Sequence, residues 1–290
     1  MKRLILLSLL IAVVCLTVTS WTTLSHETST KAPQNVFVPD CPPPFPNASP
    51  RPVDVSCGNE GVFEGNATEA HRAQNRAKNS FCAKGSTATV GTDPILTTVT
   101  TYDILQAKVV ENGIDFGGSA NLPEDREALK NIATNAAGVS IGEGSYVVFV
   151  GFMLDAHPTS KESVSCQNGT VGFLDIHISL ARTKNADLCR TIGAEIIPHF
   201  RPASWPRLYY AEHYEEIKRH PLRLKGHLFF DASHHPCGDP NMTTHDPLRR
   251  SDWEIHPVYS IDVCSNTTLA GCSANNETVW TAFDQWITSQ

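Results

Sequence analysis

Five apolar segments in the second half of the chain alternate residue by residue, which is the period of a β-strand and not of a helix. They cover residues 146–154, 172–181, 191–197, 222–230 and 253–263. Between the third and fourth segments, Tyr210, Tyr214 and Ile217 recur at helical spacing after a Trp205-Pro206 start. This spacing predicts an amphipathic helix over 207–220. The element order is therefore β-β-β-α-β-β.

This order resembles the OB-fold, a five-stranded Greek-key barrel that carries its helix between the third and fourth strands. We predict a fold that is mainly β with α, built as an OB-like five-stranded Greek-key barrel over 141–265. A small helical N-terminal region over 61–140 precedes the barrel, and a C-terminal extension over 266–290 follows it. A mixed α+β domain of another topology is the alternative.

Two helices are predicted in the N-terminal region. The first covers 66–81 and ends at Cys82, because alanines and one phenylalanine recur there at helical spacing. The second starts at Pro123, with Glu124 and Asp125 in its first turn and Gly138 as its stop signal. Between them, residues 97–110 are rich in β-branched side chains and do not favour one state.

The first residues have the pattern of a secretory signal peptide. Met1-Lys2-Arg3 precedes an uncharged run to about residue 18, and Val18-Thr19-Ser20 has the small-residue spacing of a cleavage site. We predict a signal peptide over 1–20, since an uncleaved membrane anchor would need an apolar run longer than about 15 residues. The Pro-, Ser- and Thr-rich composition that follows predicts an extended tether over 21–60.

Cysteine usage points to an oxidising compartment. Of the nine cysteines, Cys15 falls in the leader, which leaves eight: Cys41, Cys57, Cys82, Cys166, Cys189, Cys237, Cys264 and Cys272. An even number in an exported chain indicates disulfide bonds, with about 105 pairings open. Bound zinc is the alternative, but no Cys-x-x-Cys spacing occurs. We expect a secreted protein, extracellular or periplasmic, with no transmembrane segment in the mature chain.

The net charge of the chain indicates which class of partner it can bind. Loss of Lys2 and Arg3 with the leader changes the formal net charge from -7 to -9. Nucleic-acid binding depends on a basic surface that neutralises phosphates, so the acidic charge disfavours nucleic acid as the partner. The expected partner is an unknown extracellular ligand, and nucleic acid is kept as the disfavoured alternative, because residues 182–250 carry eleven Lys and Arg against eight Asp and Glu.

Two acid-x-His pairs carry the candidate chemistry. Asp175 and His177 point to one face of their strand while Ile176 and Ile178 point to the other, and Glu254 and His256 repeat this geometry. With Glu195 they form a polar face that suits zinc or another divalent metal, for which Asp175, His177, Glu254 and His256 are the candidate ligands. The competing interpretation is a hydrogen-bonded polar face with no ligand.

Three further residues complete the candidate ligand-binding set. Trp205 is the aromatic residue expected to be exposed for stacking on a ligand, as OB-folds often do. Arg249 and Arg250 lie close to a strand end, where the arginines of a nuclease site would lie, and Arg201 is a third candidate of this kind. No catalytic residue is assigned from the sequence.

Several sequence runs resemble a family of secreted bacterial proteins whose function is uncharacterised and whose C-terminal domain is OB-fold-like. The runs are 162–166, Asp175-Ile-His-Ile (DIHI), 195–202, 226–231 and Trp253-Glu-Ile-His-Pro-Val (WEIHPV). The resemblance covers about half of the chain. It implies bacterial export and a shared domain, and it brings no assigned active site.

The leading functional hypothesis is a secreted, disulfide-stabilised OB-like domain that binds an extracellular ligand through the Asp/His/Glu face. The alternative is a metal-dependent hydrolase, either a phosphodiesterase or a nuclease, that uses the same face. Convergence of three of these side chains within about 5 Å would favour the enzyme, because metal ligands must converge on one ion.

Overall fold

The computed structural model describes residues 35–84, 93–135 and 137–290. Within these ranges the helices are α1 (Glu69–Lys78), α2 (Val99–Glu111), α3 (Ala211–Ile217) and α4 (Phe283–Thr288). The strands are β1 (Ile95–Leu96), β2 (Ala133–Thr134), β3 (Ser140–Ile141), β4 (Tyr146–Pro158), β5 (Ile176–Ala181), β6 (Ile192–Ile196), β7 (Pro221–Phe230), β8 (Trp253–Cys264) and β9 (Trp280–Ala282). Each of the five predicted C-terminal strands is present, and the predicted helix between the third and fourth is α3.

Five strands close into a barrel in the order β4-β5-β6-β8-β7, because β7 also pairs with β4. The β6–β8 pair is parallel, and the other four barrel pairs are antiparallel. Helix α3 lies between the third and fourth barrel strands in chain order. The prediction of a mainly β, OB-like barrel with α is confirmed.

Strands β5 and β6 bury both of their faces, and only one of these faces belongs to the hydrophobic core. Ile178, Ala194 and Ile255 are neighbours across β5, β6 and β8, and each is fully buried in the hydrophobic core. Complete burial of an isoleucine side chain stabilises the fold by about 1.5–3 kcal/mol. Side chains alternate along a strand, so the residues between these positions project to the opposite face.

The N-terminal region departs from its prediction in two places. The first helix is present as α1, capped by the side chain of Thr68. The prediction of a second helix that starts at Pro123 is wrong, because the chain there forms a short 3-10 helix, Arg126–Leu129, and then β2. The buried Arg126 side chain bonds to Glu143 and to the Phe230 carbonyl, and these long-range contacts override the local helix signals.

Helix α2 occupies the segment for which the sequence favoured no state. Tyr102, Leu105 and Val109 are fully buried in the core at helical spacing. Tertiary packing of this face therefore outweighs the unfavourable helix propensity of its β-branched residues.

The described part of the predicted tether, residues 35–60, is packed and not extended. Phe37 stacks on the ring of His199 with centroids 3.8 Å apart, and Phe45 packs edge-on against Trp205. The predicted signal peptide and residues 21–34 lie outside the described residues. The tether interpretation is wrong for 35–60 because aromatic side chains in this Pro-rich run reach the barrel core.

Four disulfide bonds use all eight cysteines outside the predicted leader, as expected. They join Cys41 to Cys82, Cys57 to Cys166, Cys189 to Cys237 and Cys264 to Cys272. Disulfides of this number persist in oxidising compartments and not in a reducing cytoplasm. Among the described helices, none has the length and apolarity needed to cross a membrane.

Candidate metal centre

The centre begins with a pair on adjacent strands. His177 on β5 lies directly opposite Glu195 on β6, and its Nδ1 is 3.2 Å from Glu195 Oε1. Both side chains project from the face opposite the apolar core, because their neighbours Ile176, Ile178 and Ile196 belong to that core. Antiparallel pairing therefore brings together an acid and an imidazole that lie far apart in sequence.

The parallel pairing of β6 with β8 adds the second acid-x-His pair. His256 Nδ1 lies 3.1 Å from Glu254 Oε1 and 3.2 Å from Glu195 Oε2. Gly193 faces Glu254 across the two strands, where a Cβ would lie 3.0 Å from Glu254 Oε2. The absence of a side chain at Gly193 leaves room for this carboxylate.

Asp175 completes the cluster from the residue just before β5. Its Oδ2 lies 3.8 Å from His256 Nε2, and Asp175, Glu195 and His256 each offer a ligand atom within 4.8 Å of the other two. Both carboxylate oxygens of Asp175, and His256 Nε2, are buried without a hydrogen-bond partner. Buried polar atoms in native proteins are almost always satisfied, and a bound cation or water at this point would satisfy these three.

Buried charge around the cluster is unbalanced. Asp175, Glu195, Asp231, Asp252 and Glu254 are each at most 7 % exposed, and Lys78, Arg249 and Arg201 are permanent cations buried beside them. Arg249 contacts Asp231, Asp252 and Glu254 at 3.0–3.2 Å. Five buried carboxylates facing three cations favour the uptake of further positive charge, because an unpaired buried charge is costly.

The pKa values report the same imbalance. Burial raises the pKa of Asp175 to about 7 and that of Asp252 to about 7. Burial also opposes the charged form of His256, but Glu195 and Glu254 outweigh it and raise the pKa of His256 to about 10. The cluster therefore attracts a proton where no other cation is bound, and a metal ion at Nε2 would replace that proton.

A pocket of about 360 Å³ opens onto the cluster through Glu195 and His177. Strands β4, β5 and β6 form its floor, and the loops 159–175, 182–191 and 231–252 contribute its walls. In OB-folds the face of the second and third strands and the loops beside it bind ligands. The pocket lies at the corresponding part of this barrel, on β5 and β6.

A further acid–imidazole pair, separate from the cluster, lies at the edge of the pocket. His157 Nδ1 is 2.8 Å from Asp155 Oδ2, and the Tyr214 hydroxyl donates to Asp155 Oδ1 at 2.7 Å. These bonds orient the His157 ring, whose centroid is 5.4 Å from that of His177. His157 is exposed at the pocket, where its ring can contact a bound molecule.

The predicted site residues divide into two groups. Asp175, His177, Glu195, Glu254, His256 and Arg249 come together in the cluster just described. Of the four metal ligands predicted from the sequence, Asp175 and His256 belong to the group whose ligand atoms converge, and Glu195 is its third member. The other two predicted ligands contact this group as neighbours: His177 contacts Glu195, and Glu254 contacts His256.

Three aromatic or basic candidates do not line the pocket, although one of them, Arg201, lies beside Asp175. Trp205 is not exposed: it is 1 % accessible and packs in the core against Phe45. Arg250 pairs with Asp103 of α2, and Arg201 is buried and bonds to the carbonyls of Leu174 and Ile196. Arg249 is enclosed by carboxylates and not presented to an anion. The buried Arg201 and Arg249 lack the exposure that a nuclease phosphate contact needs, and the partly exposed Arg250 is already paired with Asp103.

Sequence reasoning missed Lys78, Glu162 and Asp231. Lys78 Nζ lies 3.6 Å from Glu162, and although burial opposes its charge, Asp231 and Glu162 lead the acids that raise its pKa well above the usual value. Asp231 ends the apolar run 226–231, which was a usable signal. Lys78 carries no local signal, because it approaches the barrel only through the packing of α1.

Comparisons of this chain with protein-family models, with curated proteins and with solved structures found no match.

Proposed function

We propose that the protein is an exported, metal-dependent hydrolase whose divalent ion is held by Asp175, Glu195 and His256. The observation that carries this proposal is the convergence of one ligand atom from each residue within 4.8 Å, with Asp175 and His256 Nε2 otherwise unpartnered. Carboxylates and imidazoles are both zinc ligands, and three protein ligands leave the fourth position of a catalytic zinc site open for water or substrate.

A divalent ion at this point would polarise a substrate carbonyl or phosphoryl group and lower the pKa of bound water. Glu195 faces both the cluster and the pocket, so it connects the ion to the space that a substrate would enter. His177 holds Glu195 through the 3.2 Å contact of its Nδ1, as a neighbour that orients a metal ligand. His157, oriented by Asp155, would accept the proton of the attacking water and return it to the leaving group.

A ligand-binding module without catalysis is the second candidate. The observation in its favour is the near-complete burial of Asp175 and His256, at 1 % and 0 % exposure, which leaves Glu195 and His177 as the cluster residues that line the pocket. In that case the ion would be structural and the pocket would bind without turnover.

Export is part of the proposal. The four disulfides support an oxidising compartment, and the leader predicted over 1–20 is the expected route. The compartment would be extracellular or periplasmic.

Zinc calorimetry on chelator-treated protein tests the function. We expect one zinc per chain, and we expect Asp175→Asn to weaken zinc binding at least about a hundredfold, since one of three protein ligands is lost. The matched control is Asp187→Asn, which removes a surface carboxylate that caps a short 3-10 helix. Wild-type protein that takes up neither zinc nor manganese would contradict the metal centre.

Turnover separates the two candidates. Zinc-loaded protein should release nitrophenol from 4-nitrophenyl butyrate, lose this activity with a chelator and regain it with added zinc. Stoichiometric zinc binding without any metal-dependent ester hydrolysis would favour the binding module.

A further inference from the structure

The charges that line the pocket restrict the class of molecule that it accepts, an inference that rests on the proposed metal centre. Asp155, Glu162, Glu195 and Asp231 line the pocket, and Asp175, Asp252 and Glu254 lie behind it. The permanent cations of the wall are Lys78 and Arg249. Behind the wall, Arg201 is a third buried cation, beside Asp175. Together with a divalent ion these cations supply five positive charges against seven carboxylates.

Both wall cations are already committed to carboxylates. Arg249 bonds to Asp231, Asp252 and Glu254, all within 3.2 Å. Lys78 is 6 % exposed, and its Nζ lies 3.6 Å from Glu162. Neither cation is free to neutralise a phosphate, which depends on Arg or Lys contacts for its binding.

Three of the four histidines of the wall do not change this balance. His157, His177 and His234 each have a ring nitrogen within 3.3 Å of a carboxylate oxygen, on Asp155, Glu195 and Asp246 respectively, and the fourth, His245, is exposed. Any positive charge on these rings would therefore be compensated by its neighbour. An anionic substrate would enter a pocket of net negative potential and would be repelled.

One wall of the pocket is apolar and open. Leu188 and Leu248 line it and are 37 % and 48 % exposed, with Pro247 beside them. Their two loops are held together by the Cys189–Cys237 disulfide and by the bond from Arg250 N to the Thr191 carbonyl at 2.8 Å. This wall is thus held in place before a ligand arrives, which reduces the entropy lost on binding.

We propose that the pocket accepts a neutral or cationic carboxylic ester or amide with an apolar acyl group, and that it excludes phosphodiesters. The acyl group packs against Leu188, Pro247 and Leu248. The carbonyl faces Glu195 and the ion that Glu195 helps to hold. In the hydrolysis, a water oxygen bonds to the carbonyl carbon as the carbon–oxygen or carbon–nitrogen bond breaks. The proton lost by the water passes through His157 to the leaving atom.

Three hydroxamates with six-carbon acyl chains test this class, because they share a zinc-binding group and differ in charge. Leucine hydroxamate is cationic, 4-methylpentanoyl hydroxamate is neutral and adipic monohydroxamate is anionic. For zinc-loaded full-length protein, we expect the cationic and neutral probes to bind at least about tenfold more tightly than the anionic probe, through charge repulsion. Equal or tighter binding of the anionic probe would overturn the substrate class.

Two variants assign the effect to the pocket. Glu162→Gln should narrow the preference for the cationic over the anionic probe about fivefold, since it removes one wall charge. Leu248→Ser should weaken the neutral probe about fivefold through lost apolar contact. Glu111→Gln on α2, an exposed carboxylate paired with Lys108, is the matched control and should change neither value. The assignment of both effects to this pocket would be refuted if Glu162→Gln left the charge preference unchanged and Leu248→Ser left the affinity for the neutral probe unchanged.

The zinc titration keeps this inference separate from the proposed function. Normal zinc uptake with an anionic preference refutes the substrate class alone. Failure of zinc uptake refutes the proposed function and the substrate class with it.

Discussion

His256 Nδ1 lies 3.2 Å from Glu195 Oε2, across the parallel pair that β8 forms with β6. This contact joins one acid-x-His strand to the neighbouring strand and completes the cluster with Asp175. The parallel pair is the feature of the barrel on which the proposed centre depends, because it is the strand pairing that brings His256 to Glu195.

The two histidines of the acid-x-His pairs should differ in their effect on zinc. His256→Gln removes a proposed ligand and should reduce the affinity for zinc at least about a hundredfold, whereas His177→Gln removes the residue that orients Glu195 and should reduce it about tenfold to a hundredfold. Calorimetry with zinc measures both, and thermal melts of the metal-free proteins check that each variant folds. Equal zinc affinities for the two variants would contradict the assigned roles.

The buried arginine of the cluster should be far more important for stability than its sequence neighbour. Arg249→Met leaves Asp231, Asp252 and Glu254 without their shared cation and should cost about 3–5 kcal/mol. Arg250→Met breaks a partly exposed pair with Asp103 and should cost at most about 1 kcal/mol. Urea unfolding of both variants gives the comparison, and similar losses would show that the buried pairings are not decisive.

The barrel core should respond to truncation at Ile255. Ile255 is fully buried and lies opposite Leu228, so Ile255→Ala should cost about 2–5 kcal/mol through lost burial and a residual cavity. Val110→Ala is the control, because Val110 is 62 % exposed on α2 and its truncation should cost less than about 0.5 kcal/mol. Equal shifts in the urea midpoint would contradict the assignment of the apolar face.

Acid should destabilise the protein in part through His227. Both its ring nitrogens are buried without a hydrogen-bond partner, and burial, reinforced by the charge of His256, lowers its pKa to about 3. Because the folded pKa lies below the unfolded value of about 6.5, this stability is present above about pH 6.5 and is lost as the pH falls towards 3.

The corresponding variant is His227→Leu, which has no group to protonate. Between pH 7 and pH 5 the wild type should lose about 2 kcal/mol more unfolding free energy than the variant does, as linkage requires for this shift. Urea titrations at the two pH values measure the difference. Parallel losses in the two proteins would place the acid sensitivity at other groups.

The disulfides should contribute unequally. Cys57 and Cys166 close a loop with a sequence separation of 109, against 8 for Cys264 and Cys272. On the chain-entropy model, replacing the first pair with alanine should cost about 4–5 kcal/mol and replacing the second about 2–3 kcal/mol. Chemical unfolding of the two double variants tests the order, and mass spectrometry of unreduced protein should find no alkylatable cysteine among the eight.

The sequence by itself determined the local features of the barrel. Alternation of apolar residues is a property of each strand alone, so it predicts all five barrel strands and the face of Ile178 and Ile255 without knowledge of their partners. The acid-x-His spacing likewise puts Asp175 beside His177, and Glu254 beside His256, on one face of one strand. The even number of cysteines outside the leader predicts complete pairing and nothing about the partners.

Tertiary structure decided everything that depends on which distant segments meet. The closure of β7 onto β4 and the parallel pairing of β6 with β8 bring Glu195 to His256, and neither pairing has a local signal. The burial of Trp205, the path of residues 35–60 and the approach of Lys78 to the cluster follow from long-range packing. Local periodicity specifies the direction of a side chain, whereas only the folded path of the chain specifies what that side chain meets.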